Sequence, residues 1–258
     1  MCLILLALDT HPDYPLIAAA NRDEFYDRPT ARAAFWKEAP RVLAGRDLKA
    51  GGTWLGIDRR GRFAAVTNYR QGHREPEALR SRGHLVSDYL TGPIGGRAHV
   101  ERVEREGAQY NGFNLIAGDA RALFYISNRD GGVRALKPGV YGLSNHLLDS
   151  PWPKVTAGKS GLSELLAGGG ELLPMLFQLL SDRRQATDAV LPRTGVSPEW
   201  ERLLSSAFIA SEAYGTRSST VVLVGRAGGV IFVERSFEAG GAPEQEVRYE
   251  FDIEREVA

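Results

Sequence analysis

Met1-Cys2-Leu3-Ile4-Leu5-Leu6-Ala7-Leu8-Asp9 opens the chain. Its six apolar residues after Cys2 have the length and bulk of a strand buried on both faces. Cys2 is the only cysteine among 258 residues. Removal of Met1 would make it N-terminal, with a thiol and a free α-amine on one residue. The reference pKa values lie close, about 8.5 for the thiol and about 7.7–8.0 for the amine. The amine can therefore take the thiol proton near neutral pH, and the thiolate attacks carbonyl carbon in amides, thioesters and esters. The plainer reading is a small apolar residue at the start of a core strand.

Outward from this stretch, Thr10-His11-Pro12-Asp13-Tyr14-Pro15 reads as a turn and Leu16–Ala20 as a second strand. Antiparallel pairing brings the end of strand two back beside the start of strand one. That end is Asn21-Arg22-Asp23-Glu24, a dense polar cluster directly after a buried strand. Arg22 could lower the thiol pKa or hold a carboxylate, and Asp23 could orient the α-ammonium. The competing reading is a solvated hairpin end.

Further along, Gly51–Ile57 and Phe63–Tyr69 read as a second hairpin around Asp58-Arg59-Arg60-Gly61. Short helices are expected in Ser81–Leu90 and Val100–Gly107. Asn114–Gly118, Ala122–Ser127 and Gly139–Ser144 read as strands. Pro151–Leu166, Glu171–Leu180 and Glu199–Leu204 read as helices, with Pro198 at a first helical turn. Phe208–Ile209, Thr220–Val224, Val230–Arg235 and Val247–Ile253 complete the strands. This order predicts one α+β domain over residues 1–258, with largely antiparallel sheets.

Bulk properties remove several function classes. The 32 basic and 32 acidic residues cancel, so no electrostatic case exists for nucleic acid or an anionic membrane. One cysteine precludes an internal disulfide framework. The histidines (His11, His73, His84, His99, His146) have no metal-site spacing, and neither metal nor cofactor is implied. The Cys2–Leu8 run is too short to span a bilayer. No basic region precedes it, and Asp9 and Asp13 follow at once, so a cytoplasmic protein is expected.

Three other features could carry chemistry. Asn68 and Asn145 each end a strand, where an asparagine either donates to an oxyanion or serves a turn. Arg217, in Tyr214-Gly215-Thr216-Arg217-Ser218-Ser219-Thr220, could bind a substrate carboxylate or phosphate.

Met1-Cys2 and Asn21-Arg22-Asp23-Glu24 together resemble the NRDE family, also called the Transport and Golgi organisation protein 2 family. Gly51-Gly52-Thr53-Trp54-Leu55-Gly56, Thr67-Asn68-Tyr69-Arg70, Arg82-Gly83, Gly142-Leu143-Ser144-Asn145 and Gly215-Thr216-Arg217-Ser218 extend the resemblance to about residue 225. The resemblance implies a distant relation to N-terminal nucleophile hydrolases of the choloylglycine hydrolase and penicillin V acylase branch. It implies a four-layer αββα sandwich of antiparallel sheets. Carried over, Cys2 matches the nucleophile, Asn68 and Asn145 the site asparagines, and Arg217 the late arginine. Asp23 then belongs to the catalytic set, and Arg22, Glu24 and Arg217 contact the substrate. One departure stands out. That branch places two residues between its arginine and aspartate, whereas Arg22 and Asp23 are adjacent. The expected activity is cleavage of an amide or thioester of a small acyl substrate. The alternative is a non-catalytic haem or lipid carrier on the same scaffold, since eukaryotic members of the family are associated with Golgi organisation, lipid metabolism and haem trafficking. Oligomeric state stays open.

Overall fold

A computed structural model describes residues 2–72 and 80–254. Met1, on whose removal the free amine depends, and His73 lie outside the described residues. Strand β1 (Cys2–Leu8) is buried along its whole length. Its even residues, Ile4, Leu6 and Leu8, join one core, and its odd residues, Leu3, Leu5 and Ala7, join another. Side chains alternate across a strand, so an unbroken apolar run needs cover on both faces, and β1 has it.

Two antiparallel sheets supply the middle layers. The first has six strands in the order β10-β1-β2-β11-β12-β13. Besides β1 these are β2 (Leu16–Phe25), β10 (Gly139–Leu143), β11 (Tyr214–Val224), β12 (Gly229–Phe237) and β13 (Pro243–Asp252). The second sheet runs in sequence order: β3 (Thr30–Phe35), β4 (Val42–Asp47), β5 (Leu55–Asp58), β6 (Phe63–Asn68), β7 (Phe113–Gly118), β8 (Leu123–Ser127) and β9 (Arg134–Ala135). Helices α1 (Gly83–Thr91) and α2 (Gly96–Glu106) cover the second sheet. Helices α3 (Pro153–Gly168) and α4 (Leu172–Leu180) cover the first, and α5 (Pro198–Leu203) lies in the segment leading to β11. The fold is an αββα sandwich. No helix among the described residues is long and apolar enough to cross a membrane.

Three expectations change. Phe208–Ile209 is not a strand, although both residues are buried. Strands β3 and β4 form where no strand is expected from the sequence. Strand β2 does not stop at Ala20 but runs through Asn21-Arg22-Asp23-Glu24 to Phe25. Its extension pairs with β1 on one side, Cys2 opposite Arg22, and with β11 on the other, Thr216 opposite Asp23. Two hydrogen-bonded neighbours hold in strand form a polar stretch that would otherwise favour a turn.

The helical layer over the second sheet contains a pH-sensitive residue. His99 of α2 is 1% exposed. Its Nε2 donates to the Leu85 carbonyl at 2.8 Å, and its Nδ1 accepts from Arg102 at 3.2 Å. The neutral ring is fully paired, and burial pushes its pKa down to about 4. An unfolded chain protonates this residue near 6.5, so stability is complete above that value and falls as pH drops toward 4. Urea unfolding at pH 7 and pH 5 should differ by about 2 kcal/mol from this residue alone. His99→Gln should remove that difference; an unchanged difference would assign the effect elsewhere.

Candidate active site

Cys2 and Arg22 are cross-strand partners. Both are in step with the residues facing the inter-sheet core, Ile4 on β1 and Ala20 on β2. This places the thiol and guanidinium side by side at the open end of the sandwich. Asp23, one residue on, follows the opposite alternation and faces the helical layer. The adjacency of arginine and aspartate thus splits the two between faces: Arg22 beside the thiol, Asp23 beside helix α3.

The thiol is buried, and burial pushes its pKa above the ordinary value while the nearby Arg22 pulls it back. The nitrogen of Cys2 donates to Asn145 Oδ1 at 3.2 Å. Asn145 Nδ2 donates to the Asn68 carbonyl at 2.9 Å, and Ser144 Oγ donates to the Cys2 carbonyl at 2.8 Å. Asn145 is fully buried. Its amide holds the Cys2 backbone and the end of β6.

A cavity of about 880 Å³ opens over this end, lined among others by Cys2, Arg22, Asp23, Glu24, Asn68 and Arg217. Six of the seven sequence candidates therefore share one cavity. Asn145 is not on its wall but bonds to two residues that are. Arg28, Arg32, Arg46, Arg80 and Arg82 also face the cavity, against Asp47, Glu234 and Glu244, so cationic groups dominate the wall. Some of these arginines are committed to ion pairs, Arg28 to Asp47 at 2.6 Å and Arg32 to Glu244. Arg22 Nη1 donates to Thr30 Oγ1 at 3.2 Å. Glu24 accepts from the Phe25 N–H and approaches Arg28 at 3.9 Å.

Arg217 sits where β11 slips register between Thr216 and Ser218. A bulge of this kind re-aims one side chain. Its Nη1 donates to the carbonyls of Phe25, Tyr26 and Arg28, at 3.0, 3.2 and 3.1 Å. The guanidinium therefore clamps the loop after β2, and only part of it is left for the cavity. Gly215 is required just before it, because an added Cβ would strike the Tyr26 hydroxyl and lie 2.7 Å from the Ile209 carbonyl.

Other short motifs meet on the same rim. A Cβ on Gly52 would fall 2.5 Å from the Gly83 backbone, so the chain before β5 packs directly on the start of α1, where the Thr53 N–H donates to the Gly83 carbonyl at 3.3 Å. Thr67 Oγ1 donates to the Ser144 carbonyl at 2.6 Å. Arg70, after β6, pairs with Glu201 of α5 at 2.8 Å.

Two residues of the site escape the sequence reading. Thr216 donates to Asp23 Oδ1 at 2.8 Å. Lys154 of α3 approaches Asp23 Oδ2 at 3.8 Å, with a side chain 1% exposed. Its one sequence signal is position: Lys154, Gly158, Leu162 and Leu165 share the buried face of α3, at spacings of one helical turn. A lysine on an apolar helical face asks for a buried partner.

The chain belongs to the Transport and Golgi organisation 2 family, whose model matches residues 1–239. It is 40% identical to the Mus musculus Transport and Golgi organization 2 homolog, over 92% of this chain and 93% of that one. Against the Homo sapiens Transport and Golgi organization protein 2 homolog it is 39% identical, over 98% of this chain and 100% of that one. Among solved structures it shares its fold with a Caenorhabditis elegans ortholog of N-acylethanolamine-hydrolyzing acid amidase, at TM-score 0.50 and 12% identity, covering 86% of this chain and 92% of that one.

Proposed function

We propose that this protein is a cysteine N-terminal nucleophile hydrolase that cleaves an amide or thioester of a small, anionic acyl compound. The observation that carries this reading is the placement of Cys2, held through its nitrogen by Asn145, beside Arg22 at a cavity rich in arginine.

Once Met1 is removed, the nitrogen on Asn145 is the α-amine. It accepts the thiol proton as Cys2 Sγ bonds to the substrate carbonyl carbon. The carbonyl π electrons move to oxygen, and the Asn68 side chain, on the cavity wall, donates to that oxyanion. Collapse of the tetrahedral adduct breaks the C–N or C–S bond. The α-ammonium returns its proton to the departing amine or thiolate. Water then hydrolyses the thioester on Cys2, with the amine again as base. Asp23 orients the ammonium. Arg22 meets the anionic end of the substrate, while Glu24 and the bulged Arg217 shape the wall that receives it.

A haem or lipid carrier would call for an extended apolar wall, and this cavity is lined chiefly by arginines, carboxylates and hydroxyl groups. The test is to incubate the protein with an activated acyl ester and locate the adduct by peptide mass spectrometry. The expected adduct is a thioester on Cys2. Acylation spread over surface lysines, with Cys2 unmodified, would sink the proposal.

A further inference from the structure

Lys154 and Asp23 form an ion pair, 3.8 Å apart, in the helical layer behind the thiol, and both side chains are at most 1% exposed. Lys154 Nζ has no hydrogen-bond partner among the described residues. A cation is rarely buried this completely. Its site is built by the first turn of α3, with Pro153 as the first helical residue.

The register of β1 and β2 says what the pair faces. Cys2 lies opposite Arg22, so in an antiparallel pair Asp23 lies one step beyond the amino side of Cys2. Asp23 is thus placed toward the amino side of Cys2, and its charge is also felt at the thiol, whose pKa it raises. Other ionisable groups close to the pair are Cys2 from β1, Arg22 and Tyr26 along the chain from Asp23, Tyr214 from β11, and Arg70, itself paired with Glu201 of α5. Burial drives Asp23 up and Lys154 down, each toward its neutral form, and each partner's charge opposes the shift of the other.

We propose that Lys154 is the counter-cation that keeps Asp23 ionised, and that through Asp23 it decides which proton leaves Cys2 first. This rests on the hydrolase reading above. Two protons are in question, one on the thiol and one on the α-ammonium. With Asp23 anionic, the ammonium is held and the thiol proton leaves first, giving a thiolate beside an ammonium. With Asp23 neutral, the ammonium loses its partner and deprotonates first. The thiolate then forms only with the second, more alkaline proton loss. Each step breaks one S–H or N–H bond, its electron pair stays on sulfur or nitrogen and the proton goes to solvent; one charge selects between the two tautomers of the singly deprotonated residue. Lys154 is thus a positioning residue. It supplies, from α3 and on the face of Asp23, the charge that the neighbouring Arg22 carries to the other face.

The experiment is the pH dependence of Cys2 alkylation by iodoacetamide on Met1-free protein, followed by mass spectrometry. Wild type should show a plateau of reactivity through neutral pH. Lys154→Gln keeps a hydrogen-bonding group of similar length but not the charge. It should lose the plateau, alkylate about tenfold more slowly at pH 7, and recover at alkaline pH. Lys154→Arg should restore the plateau. Asp23→Asn should lose it, and adding Lys154→Gln to Asp23→Asn should slow the reaction no further. A purely structural role would lower the thermal midpoint of Lys154→Gln and leave its alkylation profile on that of wild type. That profile would overturn the inference while the hydrolase reading stands. If Cys2 of wild type resists alkylation at every pH, both fall together.

Discussion

Cys2→Ala is expected to abolish acyl-enzyme formation, and a chain that keeps Met1 is expected to acylate at least about a hundredfold more slowly than the processed one. The first expectation follows from the chain's composition. The chain has one cysteine, so no second thiol can take over. The second isolates the amine. In the unprocessed chain the Cys2 nitrogen is an amide, which donates to Asn145 Oδ1 but has no basic lone pair. A positioned general base is worth about 10²–10⁴ in rate, and here the loss should sit at the low end, because the electrostatic help of Arg22 to the thiolate survives. Burial raises the thiol pKa, so without a base the thiolate fraction at neutral pH is small and the retained-Met1 protein should recover with rising pH. Intact mass gives the processing state and stopped-flow acylation the rate. Equal rates for the two forms would remove the amine from the mechanism. Residual acylation in Cys2→Ala would remove the thiol. Cys2→Ser separates the two roles: it keeps amine and geometry, loses the softer nucleophile, and should acylate slowly but with the same Asn145 contact intact.

How much of this could be read in the chain differs between the strand and its surroundings. Cys2–Leu8 was legible because burial on both faces writes a continuous apolar run, a local signal. The hairpin of β1 and β2 was legible for the same reason, since a turn rich in proline and aspartate joins two such runs. The reach of β2 through Asn21–Glu24 was not. What holds that segment extended is pairing with β11, almost 200 residues away, and no local propensity reports it. The bulge at Arg217 is equally non-local, because it exists only relative to the β2 partner. Strands β3 and β4 were invisible for another reason. Thr30–Phe35 mixes exposed and half-buried residues around one buried Ala33, which leaves little alternation to detect. The site asparagines could be named from strand ends, but not their division of labour. Asn145, fully buried, accepts from the Cys2 nitrogen and Ser144 through Oδ1 and donates to the Asn68 carbonyl, whereas Asn68 is exposed on the cavity wall. Which asparagine can still donate to a substrate is decided by hydrogen-bond bookkeeping across three elements.

Arg70→Met should be the most destabilising single change on the rim of the site, at about 3–5 kcal/mol. Arg70 and Glu201 have side chains 3% and 5% exposed and meet at 2.8 Å. The guanidinium also stacks over Trp152, 4.5 Å from the ring centroid. Burial pulls the Arg70 pKa down while Glu201 holds it up. Glu201 divides its oxygens: Oε2 takes Arg70, and Oε1 takes the Thr194 amide and hydroxyl at 2.8 and 2.7 Å. Removing Arg70 leaves a carboxylate out of water with half of its partners gone, and the cost is that stranded charge, not the worth of the pair. The distinction is measurable. Arg70→Met with Glu201→Gln leaves no charge behind and keeps an acceptor for Thr194, so urea unfolding should recover most of the loss. If the double variant is as unstable as the single, the stacking on Trp152 carries the stability and the ion pair is incidental. The same comparison reaches the site, because the Arg70 backbone N–H donates to the Asn145 carbonyl at 2.6 Å. Substitution of the side chain leaves that bond available. In the double variant Cys2 should therefore acylate at close to the wild-type rate once the fold is restored, while the single variant should lose acylation only in proportion to the fraction unfolded.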